Sequence, residues 1–304
     1  MSLKPESGTK MRQPVLITGV GGPAGKNTAA YFRARGFFVI GTDVREVPVE
    51  VDEFYPVPLA LEPSYMPAII SIIRAKSPTL FIPTVTEELN IVARHKDEIE
   101  AAGCRVFISP PDAVDIANDK LKTARFLEAR GFGVPRTLEG SAPMELVVKE
   151  LGLPLLAKPV FSRGGRGVLV YWTADELSRE RREDIIFQEF IPGEEYDVNL
   201  FIGDDGWVLS AVALRKTELK EGITGNAASV ERAVVPEVVE LAVNASRALG
   251  LSGPLDVDIR LRADSTPALL EINARLGGNV LHTPEILDSL LSSWKKEEKT
   301  DAIC

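Results

Sequence analysis

The sequence predicts an α/β domain followed by an α+β region, and three observations carry that expectation. Between about residues 12 and 117, short apolar runs alternate with helical patterns, as in a parallel sheet covered on both faces. From about residue 188 the chain becomes rich in strands. The length of 304 residues, set against about 150 residues per domain, fits two domains or one composite fold.

The elements follow in order. PVLIT (14–18) reads as a first strand, with a helical pattern after it to Arg35 and a second strand, FFVIGTD, ending on Asp43. FYPVPL fits a further strand, MPAIISIIRAKS a helix, LFIPT (80–84) a strand, EELNIVARHKDEIEAAG one helix closing on Gly103, and CRVFISP the last strand of this part. A second zone, 118–187, opens with the helix NDKLKTARFLEARG, which Asn118 or Asp119 can cap and Gly131 can end. LPLLAKP then reads as a strand ending at a lysine, followed by a glycine-rich loop and the strand GVLVYW. The third zone, 188–304, holds YDVNLFIG, WVLSAVALRK, the helix PEVVELAVNASRALG and a hairpin over DVDIRLRADSTPALLEINAR. The polar tail SSWKKEEKTDAIC is expected to fray, and residues 1–11 read as a flexible leader.

Composition narrows the function. A net charge of −9 gives no general affinity for nucleic acid or anionic membranes. No apolar run reaches the roughly 18 residues that span a bilayer. Two cysteines, Cys104 and Cys304, make neither a disulfide framework nor a zinc spacing, which fits a reducing cytoplasm. Two histidines leave few parts for a Ser-His-Asp or Cys-His mechanism.

The most conspicuous motif is TGVGGPAGKNT. Gly19, Gly21 and Ala24 fit the dinucleotide fingerprint, and Asp43 lies about 20 residues on, where that fingerprint expects an acid. Gly25 and Lys26 resemble the end of a Walker A loop, but Val20 stands where its first glycine belongs and Asn27 follows the lysine. A nicotinamide-dependent oxidoreductase is therefore one reading. The other makes this segment the first strand-to-helix turn, with a helix N-terminus that can attract a substrate carboxylate.

In the hairpin, pairing across ADST sets Asp258 opposite Glu271 and Asp256 opposite Asn273. The four share a face, while Leu255, Val257, Ile259, Leu270 and Ile272 make the core face. Opposed carboxylates repel, and either a retained proton or a hard divalent cation relieves them. Asp256 has a further option in pairing with a nearby arginine, and an ordinary polar sheet face is the plain alternative. Lys158 ends its strand ahead of FSRGGRG, a loop whose glycines can turn several amides toward a phosphate; a flexible hairpin turn explains it too.

The order of NDKLKTARFLEARGFGVPRT, LPLLAKPVFSRGGRGV, FQEFIPGEEYDVNLFI and LLEINARLGG resembles the ATP-grasp superfamily, especially the branch of the carbamoyl-phosphate synthetase large subunit. ITGVGGPAG resembles that branch's N-terminal domain, and the resemblance covers about residues 14–283. It implies a Rossmann-like domain (12–117), a lid subdomain with its linker helix (118–187) and a C-terminal α+β subdomain (188–304), with ATP between the last two. On that resemblance, Lys120 and Lys158 match the lysines that contact ATP phosphates. The loop with Ser162, Gly164, Gly165 and Gly167 matches the flap over them. Gln188, Glu189, Phe190 and Ile191 match the segment around adenine, and Glu195 the ribose-binding acid. Asp258, Glu271 and Asn273 match the ligands of magnesium or manganese. Arg275 matches the arginine on the acyl phosphate, assisted by Arg215 or Lys216.

The implied activity joins a small-molecule carboxylate to an amine, with ATP and Mg²⁺ consumed through an acyl phosphate. One ATP-grasp unit, where the synthetase has two, argues against carbamoyl-phosphate synthesis as such. An aspartate at the first metal position, and Leu-Gly-Gly after Arg275, depart from the synthetase pattern. A non-catalytic nucleotide-binding or regulatory module is the alternative of a different class. Neither the substrate pair nor the oligomeric state is legible, and a homodimer is among the open arrangements.

Overall fold

The computed structural model describes residues 12–162, 165–177 and 183–301, with side chains described up to residue 296. Residues 1–11, and Gly164 within the glycine loop, lie outside the described residues. The first part comprises β1 (Pro14–Thr18), α1 (Pro23–Ala34), β2 (Phe38–Asp43), β3 (Glu53–Pro56), α2 (Tyr65–Lys76), β4 (Leu80–Ile82), α3 (Leu89–Arg94), α4 (Lys96–Ala101) and β5 (Arg105–Val106). Its strands form a parallel sheet in the order β3-β2-β1-β4-β5. The order reverses between β1 and β4, so the turns after these strands flank a switch point where open α/β sheets bind ligands.

The single helix expected over 87–103 is broken. A short 3-10 turn at Thr86–Glu88 precedes α3, and α4 restarts after His95. The break buries Glu88, whose carboxylate accepts from the backbone N–H of Val85 (2.9 Å) and from the hydroxyls of Thr18 and Tyr65. Burial raises the Glu88 carboxyl above its ordinary value against these hydrogen bonds.

The chain continues through α5 (Pro111–Asn118), α6 (Lys120–Glu128), β6 (Thr137–Glu139), α7 (Met144–Leu151), β7 (Leu155–Pro159), β8 (Leu169–Tyr171), α8 (Ala174–Leu177) and β9 (Ile185–Glu189). Asp119 caps α6 by accepting from the amides of Leu121 (3.0 Å) and Lys122 (2.9 Å), a contact typically worth about 1 kcal/mol. The strands form the sheet β6-β9-β7-β8. The last part holds β10 (Glu195–Ile202), β11 (Val208–Leu219), β12 (Ala227–Ala233), α9 (Pro236–Ala248), β13 (Gly253–Leu261), β14 (Pro267–Asn273) and α10 (Pro284–Asp301), with the antiparallel order β12-β11-β10-β13-β14.

Alternation along β10 separates two faces of this sheet. Tyr196, Val198, Leu200 and Ile202 join the core that contains Val238, Ala242 and Ala245 of α9. Phe201, on the other face, packs with Phe107 and with residues of α10. Farther along that same face come Asn199, Asp197 and Glu195, where the sheet opens into a cleft.

Two further differences stand beside the broken helix. The tail does not fray at Trp294. That side chain is 2% exposed and packs in a core with Phe32, Phe37 and Ile286, so the helix continues because its apolar stripe docks on the first domain. The hairpin register holds at Asp256–Asn273 and Asp258–Glu271, but a bulge then pairs Ile259 with Leu269. Leu270 therefore leaves the core face and lines the cleft, and buried Leu269 replaces it. Among the described residues no helix is long and apolar enough to cross a membrane.

Candidate active site

A cavity of about 990 Å³ lies between the three sheets. It is at the upper end of the roughly 300–1,000 Å³ usual for small-molecule sites, which leaves room for more than one ligand. The first domain contributes the turn after β1 and the turn after β4, the second sheet Lys158 and the glycine loop, and the third sheet its charged face.

That face is a lattice of opposite charges. Lys216, on β11, donates to Asp258 of β13 and to Glu195 of β10, each at 2.6 Å. Arg260 donates to Glu195 (2.6 Å) and to the carbonyls of Ile191 (3.0 Å) and Ile223 (2.6 Å). Arg275 donates to Asp256 (2.9 Å) and to the side-chain oxygen of Asn273 (3.1 Å). Asp256 thus takes the arginine partner weighed above. From α6, Lys120 reaches Glu271 (3.2 Å) and the carbonyl of Ser162 (2.8 Å). Lys158 donates to Gln188 (2.8 Å).

Burial and neighbouring charges together set the titration of these groups. Removal from water pushes Lys158 down to about 8, against the pull of Glu271. Burial and the neighbouring Asp256 push Asp258 up to about 7, although Lys216 opposes the rise. Burial also works against the Lys216 charge, yet Asp258 and Glu195 hold its ammonium well above the ordinary range. Glu195 is likewise disfavoured by burial, and Lys216 with Arg260 hold it below its ordinary value. Asp197, buried beside Asp256, is raised well above the usual carboxylate range.

The residues suit a hard cation. Asp258, Glu271 and Asn273 present carboxylate and amide oxygens from one hairpin face, the donor chemistry of Mg²⁺ or Mn²⁺. Lysines and an arginine hold those oxygens here, so cationic charge already compensates the opposed acids. Among the described residues, the carboxylates that come within 4.8 Å of one another are Asp197, Asp256 and Asp258.

The structure does not bring every expected residue into the cleft. Arg215 does not line it. Strand alternation turns its side chain from the Lys216 side, and it pairs at the surface with Glu194 and Glu231. Gln188 is buried between Lys158 and Thr137 and does not line the cleft. Phe190 lies beneath the Arg260 guanidinium, 5.6 Å from its ring centroid. Glu189 and Ile191 do line the cleft, with the Glu189 carboxylate held by Arg262 (2.8 Å). Ser162, Gly165 and Gly167 line or border it, both glycines at positive φ. Arg260 and Asp197 escaped the sequence reading. Arg260 stands two residues beyond Asp258 and Asp197 lies within a strand that proves fully buried, and only the cross-strand pairing shows that they meet other charges.

At the first-domain wall, the Gly21 amide donates to Asp43 (2.9 Å). Gly25 lies against the turn's own backbone, because a Cβ there would come within 2.3 Å of the Gly19 carbonyl oxygen. These glycines are accounted for by packing.

The profile of the family described as "ATP-grasp domain" matches residues 117–279, and that described as "PylC-like, N-terminal domain" matches residues 15–107. The chain is 30% identical over 185 residues to the D-alanine–D-alanine ligase of Cupriavidus taiwanensis, covering 53% of this chain and 55% of that protein. It is 21% identical over 275 residues to the carbamoyl phosphate synthase large chain of Xylella fastidiosa, covering 84% of this chain and 25% of the other. The L-amino acid ligase of Bacillus licheniformis superposes with a TM-score of 0.71 at 20% identity, over 90% of this chain and 71% of that one. The chain spans about half the length of the D-alanine–D-alanine ligase it matches.

Proposed function

Because the chain belongs to the ATP-grasp family, we propose that it is an ATP- and Mg²⁺-dependent ligase that joins a small-molecule carboxylate to an amine, releasing ADP and phosphate. The observation that carries this reading is the charged face itself. Opposed acids Asp258 and Glu271, with Asn273 and Arg275, meet Lys120 and Lys158 of the neighbouring elements across one cleft. A nicotinamide site would need neither the hairpin acids nor the buried lysines.

In this reading residues 12–117 supply a substrate wall, 118–187 the lid and 188–304 the reaction face. Lys158 and Lys120 bind phosphate oxygens, and the loop at Ser162–Gly167 covers them. Ile191 and Glu189 offer backbone groups to adenine, and Glu195 accepts from ribose. Asp258, Glu271 and Asn273 would hold Mg²⁺, which when bound neutralises phosphate charge. The substrate carboxylate attacks the γ-phosphorus, forming an O–P bond as the bond to ADP breaks. The amine then attacks the acyl carbon, the C–O bond to phosphate breaks, and the amine loses a proton. Arg275 steadies the acyl phosphate with its planar fork, and Lys216 holds Asp258 in place. Dependence on ATP fits the cytoplasm, and a homodimer is compatible with this scheme.

Screening ADP release with pools of carboxylates and amines tests the proposal. It predicts Mg²⁺-dependent release with a defined pair. ATP binding without release in every pool would favour a regulatory nucleotide-binding module instead.

A further inference from the structure

The dinucleotide-like turn and Asp43 take no part in the chemistry above, yet they build one wall of the cleft. The Asp43 carboxylate oxygens accept from the backbone N–H groups of Gly21 (2.9 Å) and Val44 (2.8 Å), so the chain itself engages the acid that a dinucleotide fingerprint gives to ribose. These bonds tie the start of the loop after β2 to the glycine turn. Parallel pairing sets Asp43 beside Pro56, so residues 44–47 and 57–61 leave the sheet side by side. The second loop is held by the Glu62 N–H on the Leu59 carbonyl (2.9 Å) and the Tyr65 N–H on the Glu62 carbonyl (3.0 Å).

The wall these loops make is apolar. Val44, Leu59 and Leu61 line the cleft and are 48%, 58% and 83% exposed. Among the described residues they are the exposed large apolar side chains that line it. One such side chain on a surface is ordinary. Three on hydrogen-bonded loops along one concave surface mark a place that receives apolar ligand surface. Arg45 is a second, independent observation. It lines the same wall and is exposed, and among the described residues it makes no hydrogen bond or ion pair, not even with Glu62, which also lines the cleft. Lys120, Lys158, Lys216, Arg260 and Arg275 all have partners within the site.

We propose that this wall is the subsite for the non-reacting part of the amine substrate. An apolar side chain of about leucine size seats on Val44, Leu59 and Leu61, and a carboxylate on the same carbon skeleton pairs with Arg45. The inference deepens the ligase reading and rests on it for the role of that compound as nucleophile. Position separates this anion from the reacting ones. The phosphates and the acyl phosphate are assigned to Lys120, Lys158 and Arg275, all outside the first domain, so an anion at Arg45 takes no part in bond formation.

Isothermal titration into MgADP-loaded protein tests both halves without turnover. The probes are racemic leucine, alanine and leucinamide. Wild type should bind leucine at least about tenfold more tightly than alanine, and the double change Leu59→Ser, Leu61→Ser should bring that ratio close to one. Leucine should bind about fivefold more tightly than leucinamide, which lacks the anion. Arg45→Gln should erase that preference and keep the leucine-to-alanine ratio. The three positions are solvated, so circular dichroism and the ATP dissociation constant should match wild type in both variants. A wild type that does not distinguish leucine from alanine overturns the proposal, as do variants that keep the wild-type ratios. Weaker ATP binding in Arg45→Gln would assign Arg45 to a phosphate and overturn it too. So would dissociation of a wild-type dimer by the serine changes in sedimentation, which would make the wall a subunit contact. ADP release separates this inference from the ligase reading. Release only with amines that lack an apolar chain keeps the ligase and sinks the subsite. No release in any pool, with a leucine preference that the serine changes abolish, keeps the subsite and sinks the ligase.

Discussion

The two glycine turns of this chain look alike in sequence and differ in what surrounds them. The turn at Gly19–Gly25 lines the first-domain wall of the cleft, and Gly19 and Gly25 within it are packed against protein. A Cβ on Gly25 would meet the carbonyl oxygens of Gly19 and Thr18, and one on Gly19 would come within 2.5 Å of Val85. In the second turn, Gly167 stands at φ +73 with the Pro159 ring as its near neighbour, and Gly165 faces Gly225 across the cleft mouth. The first turn therefore uses glycine to bring a helix against a strand. In the second, Gly165 and Gly167 likewise approach protein, at Gly225 and Pro159, in a turn that borders the cleft Lys158 lines. A glycine fingerprint therefore reports close backbone approach and does not by itself mark a phosphate site.

Substitutions can break or sharpen this contrast. Lys158→Met should have the largest effect, lowering ATP affinity by about a hundredfold or more, as measured by equilibrium titration. The same change should stabilise the ligand-free fold. Burial takes Lys158 from 10.5 down to about 8, a cost of roughly 3 kcal/mol at neutral pH that the variant escapes. Gly25→Ala should cost about 2 kcal/mol of stability through its backbone clash, read from urea denaturation. Gly167→Ala should cost about 1 kcal/mol, because an alanine at that φ is strained, and should change ATP affinity by a small factor only. Arg215→Ala, at the solvated surface, should change stability by less than about 1 kcal/mol and leave turnover near wild type.

The titration of Lys158 gives the contrast a pH signature. Phosphate binding needs the charged amine, so ATP affinity should fall as pH rises through about 8. Lys158→Met should remove that part of the pH profile. For stability the sign is opposite. Between about 8 and 10.5 the unfolded chain holds the proton that the folded chain has released, so the Lys158 contribution improves as pH rises across that window.

Most of the fold was legible because its signals are local. Apolar runs and caps located most of the strands and α6, and alternation alone put Asp258 opposite Glu271, whereas β6, β12, α5, α7 and α8 went unread. What escaped depends on partners distant in sequence. The bulge at Leu270 follows no turn residue, and Trp294 is buried only because Phe37 and Ile286 meet it. In the site, Lys120 reads as a surface helix lysine until the helix N-terminus is seen against Glu271. Arg215 and Lys216 are adjacent and cationic, so only strand facing separates them. Asp197 and Arg260 were hidden within apolar strands, where cross-strand pairing alone shows that they meet other charges.

In the proposed ligase the hairpin acids, and not the first glycine turn, govern the nucleotide. The most direct measurement is the Mg²⁺ dependence of ATP affinity in wild type and in Glu271→Gln. Wild type should bind ATP more tightly as Mg²⁺ is added, and Glu271→Gln should lose most of that gain while keeping the wild-type circular dichroism spectrum. A Glu271→Gln protein whose ATP affinity responds to Mg²⁺ as wild type does would contradict the account.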